Sequence, residues 1–244
     1  MDSYIPFLLS FVSGISTMIG SIFIFLRIKR VEEFTILSLS FSMTTMIFIS
    51  LFDLLPSSIP LIIKNYNLII GLIISLLIFF LGYLSIYVIS NKINTNKSLY
   101  KIGILSFISL LLHNIPEGIA VFMSAYNNIK IGFKMCFSIM CHNIPEGIQI
   151  SVPLYYSGES RGRVVLLTLI SSLAEPMGAL LSYVFLKDYF NELFISFILI
   201  FVSGLMISLS VNEIYNEIKY YNLKIYKIIG ILIAIVLSTV IFLI

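Results

Sequence analysis

The sequence predicts an all-α membrane protein with eight transmembrane helices in a single domain over residues 1–244. Three observations carry that expectation. The chain is 59% hydrophobic and 11% charged, with a mean hydropathy of +1.06, far from a soluble domain. Apolar segments recur along it, each about as long as a helix must be to cross ~30 Å of hydrocarbon. The basic residues punctuate these segments and form no stripe, so the net charge of +3 does not point to nucleic acid.

The segments cover about 4–26, 34–56, 68–90, 102–124, 134–156, 164–186, 193–215 and 227–244. The first reads as a span and not as a secretory signal, because it starts with Asp2 and has no small-residue cleavage site. The second ends near Pro56, after ISLFDLL. The fourth and fifth each contain HNIPEG, and the sixth contains SSLAEPMG. The eighth is short and closes on IVLSTVIFLI. Helices are the open choice, because lipid leaves no partner for an unpaired backbone group. Glycine and proline inside the spans are tolerated in that setting.

The loops set the orientation. Arg27, Lys29 and Arg30 follow the first span, Lys92, Lys97 and Lys101 the third, Arg161 and Arg163 the fifth, and Lys219, Lys224 and Lys227 the seventh. The other side holds only Lys64, Lys130, Lys134 and Lys187. The positive-inside bias therefore puts both termini outside and the basic loops in the cytoplasm. No loop is long enough for an appended domain, and neither histidine lies in a loop.

A weak internal repeat links the two ends of the chain. SGISTMIG from Ser13 aligns with SSLAEPMG from Ser171, which sets Thr17 opposite Glu175 at an offset of 158. ISLFDLL aligns with SLSVNEI, which sets Asp53 opposite Glu213 at an offset of 160. Spans five apart run in opposite directions, so the repeat is inverted, with the fourth and fifth spans as its central pair.

Those central spans carry the chemistry. His113 and Glu117 stand four residues apart, as do His142 and Glu146, so each pair shares one helix face. An ionisable group at mid-bilayer costs roughly 2.5–3.5 kcal/mol even on the lenient insertion scale. A lone intramembrane histidine or glutamate is often a satisfied structural pair. The same six residues used twice point instead to a metal or ion site. Asn114 and Asn143 add hard amide oxygens, and Pro116 and Pro145 free carbonyls and kink their helices. Glu175, before Pro176, is a third carboxylate, enough charge for two ions with bridging ligands. Imidazoles with carboxylates and amides suit Zn²⁺, and also Fe²⁺, Co²⁺ or Mn²⁺. Asp53 sits near a span end, where a solvated interfacial carboxylate is as good a reading as a pathway or proton-relay group. Cys136 and Cys141 are five residues apart, read as small buried residues and not as a disulfide framework.

HNIPEGIA, HNIPEGIQI and SSLAEPMGALL, with SLFDLLP and LSVNEI, resemble the ZIP (Zrt/Irt-like) metal transporters over nearly the whole chain, in particular the bacterial ZupT-like branch. The resemblance implies uptake of divalent transition metals into the cytoplasm across a bacterial cell membrane. It implies eight helices arranged 3 + 2 + 3 with outside termini. It also implies a binuclear centre between the fourth, fifth and sixth spans. One metal would take Glu117, His142 and Glu146, with His113 close by. The second would take Asn114, Glu117, Asn143, Glu146 and Glu175. Two features depart from close relatives: Asp53 stands where a longer glutamate is common, and the loop after the third span has no histidine.

No resident cofactor is expected; the partners are the transported divalent ions and the lipid bilayer, and the sequence is compatible with a homodimer. Two other function classes compete. An intramembrane metalloenzyme is disfavoured because HExxH is absent. A proton or monovalent-cation channel would have no use for paired His, Glu and Asn ligands.

Overall fold

The computed structural model describes residues 4–186 and 192–243. Lys187 and Ile244, the last residue of the eighth expected span, lie outside the described residues. Among the described residues every regular element is helical. Six helical runs are long and apolar enough to cross a membrane: α1 (Tyr4–Phe25), α2 (Val31–Tyr66), α3 (Leu68–Lys92), α4 (Ser98–Asn127), α6 (Arg161–Phe185) and α7 (Leu193–Ile218). Between them lies α5 (Ile129–Tyr156), the second HNIPEG helix, and α8 (Lys224–Leu243) closes the bundle.

The outer surface is apolar, unlike that of a water-soluble bundle. Leu76, Leu77, Phe80, Leu81 and Leu84 along α3 are exposed, and so are Leu232, Ile235 and Val236 on α8. The buried set is rich in serine: Ser10, Ser13, Ser16, Ser42, Ser106, Ser109 and Ser171 are all inside. Hydrocarbon supplies no drive to hide leucine, so small residues that let backbones approach occupy the helix contacts.

Packing places α4 and α5 side by side at the centre, with α1 and α6 against them. α2 lies along α8, α3 lies along α7, and α2 also touches α5. At the α8 end the Arg30 guanidinium, before α2, donates to the Tyr226 hydroxyl at 3.2 Å.

Two links are shorter than the sequence suggests. A single residue, Asn128, separates α4 from α5, and its side chain accepts from the Lys130 amide at 3.0 Å. Asn67 alone separates α2 from α3; it takes a positive φ of 100° and caps α3 through the Ile70 amide at 3.0 Å. Asparagine suits both posts, because its short amide mimics a backbone acceptor and tolerates unusual φ.

The largest correction concerns α2. It does not stop near Pro56 but runs on to Tyr66, so Asp53 lies within the helix and not at its end. A π-helical stretch at Ser50–Leu54 precedes Pro56, and the wider turn accommodates a ring that cannot donate to the preceding turn. α7 carries the matching feature at Leu209–Ile214, around Glu213. The helical course of α1 is interrupted at Ser16 and that of α6 at Leu173, three residues before Pro176.

Candidate metal centre

Both HNIPEG copies lie on unbroken helices that keep Pro116 and Pro145 inside them. The breaks occur instead in the flanking helices, and the asparagines of the motif bind there. Asn143 Nδ2 donates to the Ser13 carbonyl at 2.8 Å, next to the break in α1. Asn114 Nδ2 donates to the Ser171 carbonyl at 2.9 Å, next to the break in α6. Ser13 and Ser171 are the residues that the internal repeat aligns. The glycines follow the same rule. A Cβ on Gly118 would sit 1.9 Å from the Glu175 carbonyl oxygen, and one on Gly147 would sit 1.9 Å from that of Thr17. Thr17 and Glu175 are again the aligned pair, so α1 meets α5 as α6 meets α4.

These contacts gather the polar side chains. His113, Glu117 and His142 place ligand atoms within 4.8 Å of one another, all buried. Glu117 Oε1 lies 2.7 Å from His142 Nε2 and 2.9 Å from His113 Nε2. Glu146 Oε1 stands 3.6 Å from His113 Nε2. Glu117 is therefore the hub, while Glu146 stands one step outside the tight triad.

Asn114, Asn143 and Glu175 form a second polar group. The Glu175 carboxylate accepts from Asn143 Nδ2 and from the Ser13 hydroxyl. Ser13 was not foreseen as a site residue; its alignment with Ser171 in the repeat was the available signal. The amide NH₂ groups of both asparagines are spent on helix anchoring, which turns each Oδ1 into a buried acceptor without a donor. Glu117 Oε2 and both Glu146 oxygens are in the same condition. A buried acceptor left unpaired costs about 1–3 kcal/mol. A cation satisfies several such lone pairs at once, and the donor set of imidazole, carboxylate and amide oxygen is the one expected for Zn²⁺ and its divalent neighbours.

A cavity reaches this group. It measures about 260 Å³ and is lined by Asp53, Ser57 and Ser58 of α2, Glu117 and Ala120 of α4, Met135, Ser138 and His142 of α5, and Ser196 of α7. Asp53 thus shares a chamber with two residues of the triad, which its position in the sequence did not reveal. Cys136 is buried with its Sγ 3.3 Å from the Leu9 carbonyl, Cys141 is half-buried, and both are free thiols.

A family model described as ZIP Zinc transporter matches residues 90–241. The chain is also similar to curated relatives along most of its length. The zinc transporter ZupT of Chlorobium luteolum is 35% identical over 233 residues, covering 88% of each chain. The ZupT of Streptococcus mutans is 31% identical over 258 residues, covering 98% of each. The ZupT of Clostridium perfringens is 29% identical over 271 residues, covering 97% of this chain and 95% of the relative.

Proposed function

The chain belongs to the ZIP family, and on that premise we propose that it carries divalent metal ions, zinc foremost, across a bacterial inner membrane into the cytoplasm. The observation that supports this most is the Glu117 carboxylate, held between His113 and His142 at the end of a cavity that Asp53 also lines. The ion enters the cavity past Asp53, exchanges water for carboxylate and imidazole, and is held by protein lone pairs instead of its hydration shell.

In this reading eight helices span the membrane in a 3 + 2 + 3 inverted repeat, with both termini outside. The paired contacts of Asn114 with Ser171 and Asn143 with Ser13 support the repeat. The cavity then faces outward, because its rim is built from the ends of α2 and α4 and the start of α5. Two ions share the centre. One is held by Glu117, His142 and Glu146 with His113 adjacent. The other is held by Asn114, Asn143, Glu117, Glu146 and Glu175. Iron, cobalt and manganese fit the same donors. Assembly as a homodimer is part of the proposal but not needed for the site.

The rival reading, an intramembrane metalloenzyme, loses its ground with membership of a transporter family. Purified protein in liposomes, offered radiolabelled Zn²⁺, Fe²⁺, Co²⁺ and Mn²⁺, tests the proposal. Time-dependent accumulation, with Zn²⁺ competing against the others, is expected. Absence of accumulation for every metal, with the protein folded and inserted, overturns it.

A further inference from the structure

The exchange that maps one HNIPEG copy onto the other also maps their surroundings, and there the two sides differ. Shifting by 29 residues pairs Ala120 with Gln149, Ser106 with Met135 and Ser109 with Ser138. Ala120, Met135 and Ser138 line the open cavity. Their counterparts Gln149, Ser106 and Ser109 lie on the opposite side of the centre, because α4 and α5 are antiparallel. All three are buried, Gln149 at 1% exposure.

The spacing puts them on the metal-binding faces. Gln149 is three residues beyond Glu146, and Ser109 and Ser106 are four and seven residues before His113. At 1.5 Å per residue Gln149 lies about 4.5 Å past Glu146 along α5, and Ser109 and Ser106 lie about 6 and 10 Å before His113 along α4. Gln149 Nε2 donates to Ser106 Oγ at 3.1 Å, which fixes the amide with its carbonyl oxygen turned elsewhere. That Gln149 Oε1 and the Ser109 hydroxyl are both buried, and neither has a hydrogen-bond partner among the described residues. A buried acceptor left unpaired is costly, and a cation would offset that cost. Moreover, the equivalent position on the other side of the same helix pair is filled by alanine.

We propose that Gln149, Ser109 and Ser106 form a third cation station, built from neutral oxygens, which a divalent ion occupies after it leaves the His/Glu centre on the side away from the cavity. The proposal rests on the transport reading and extends its path inward. Carbonyl and hydroxyl oxygens are hard donors that replace part of a hydration shell without adding charge. Such a station holds an ion weakly, which suits a step that must release it. On that side of the centre Ile36, Leu39, Leu105, Ile214 and Ile218 pack in one apolar cluster. Four of these are the repeat counterparts of Ser196, Leu199, Leu54 and Ser58, which line the open cavity. The side that carries the station is therefore packed with apolar residues where the cavity side is open.

Two variants and three measurements test this. Gln149→Ala should keep the metal content of the purified protein and slow liposome uptake of radiolabelled Zn²⁺ about tenfold or more, the scale of losing one polar partner to a charge. Gln149→Glu should bind one more Zn²⁺ per chain than the unaltered protein in equilibrium dialysis, with slow uptake, because the weak station becomes a charged trap. The dialysis arm reads the station in detergent even if the unaltered protein accumulates no metal in liposomes, in which case the transport reading fails by itself. Uptake by Gln149→Ala at the unaltered rate, no extra ion in Gln149→Glu, or loss of the centre's metal in Gln149→Ala each overturns the proposal; the last would make Gln149 a packing residue.

Discussion

The Nε2 atom of His142 on α5 lies 2.7 Å from Oε1 of Glu117 on α4. The histidine of one motif copy thus pairs with the glutamate of the other, and the two hexapeptides build one centre instead of two. His113 reaches the same oxygen from within its own copy at 2.9 Å. A carboxylate that serves two imidazoles cannot be replaced by either neighbour.

Glu117→Ala is accordingly expected to abolish uptake and to strip the centre of metal, while the protein still inserts into the membrane. Glu146→Ala is also expected to abolish uptake, since both proposed ion positions use it. It should retain more metal than Glu117→Ala, because His113, Glu117 and His142 remain gathered within 4.8 Å. Metal content by atomic spectroscopy, beside vesicle uptake, checks the ranking. Uptake near normal by either variant at equal expression contradicts a shared centre.

Direction of transport gives a second expectation. A divalent cation moving inward gains about 4.6 kcal/mol across 100 mV of inside-negative potential, twice the value for a unit charge. If no other ion moves in exchange, a potassium-diffusion potential, negative inside, should speed Zn²⁺ accumulation in vesicles. Accumulation blind to potential but driven by a pH gradient would show proton exchange. Asp53, the carboxylate that shares the cavity with Glu117 and His142, is the first group to alter in that case.

The hexapeptide repeat and the apolar segments made the helical membrane class and most ligand candidates legible, because ionisable groups in a hydrocarbon setting are costly enough to be informative one by one. The alignment of Thr17 with Glu175 was legible too, and the carbonyl contacts of Gly147 and Gly118 give it a physical meaning. Asp53 was harder. Pro56 reads as a stop, since nothing in the sequence announces the π-helical turn at Ser50–Leu54 that carries the helix through it. The asparagines were foreseen as oxygen donors, but their second task, fastening α1 and α6 through Nδ2, depends on breaks in other helices. Ser13 and Gln149 stayed hidden for a general reason. Serine inside a membrane helix is common and a glutamine there carries no charge, so only a contact distance or an unpaired oxygen sets one apart.

The carbonyl contacts supply a third expectation. A Cβ at Gly118 or Gly147 would sit 1.9 Å from a main-chain oxygen, and backbone cannot yield as a flexible side chain can. Gly118→Ala should push α6 from α4, and Gly147→Ala should push α1 from α5. Overpacking of this kind costs typically 1–3 kcal/mol. Both variants should melt at lower temperature in detergent and lose uptake, since each displaces a helix that the motif asparagines anchor. Gly162, which has nothing within 4 Å of an added Cβ, is the control: Gly162→Ala should keep both properties.

The last expectation concerns the asymmetry of the repeat. Glu175 and Thr17 occupy equivalent places, yet only Glu175 brings a carboxylate, and it accepts from Ser13 and Asn143. Glu175→Gln keeps the size but removes the charge and presents an NH₂ where one of two donors points, so at least one of those bonds is lost. The second ion should then bind weakly or not at all. The first, held by Glu117, His142 and Glu146, loses no ligand, and its nitrogen and oxygen donors still suit Zn²⁺. Uptake should persist with a changed rate or metal preference. Thr17→Ala should be nearly silent, because the Thr17 hydroxyl has no hydrogen-bond partner to lose among the described residues and its carbonyl contact with Gly147 is untouched. Ser13→Ala separates charge from positioning: it keeps the Glu175 carboxylate but frees one of its oxygens, so the second ion should be retained with altered affinity. Counting bound metal in the three purified variants decides the matter. Two ions at unchanged affinity in Glu175→Gln, or none, would show that the two positions are not divided in this way.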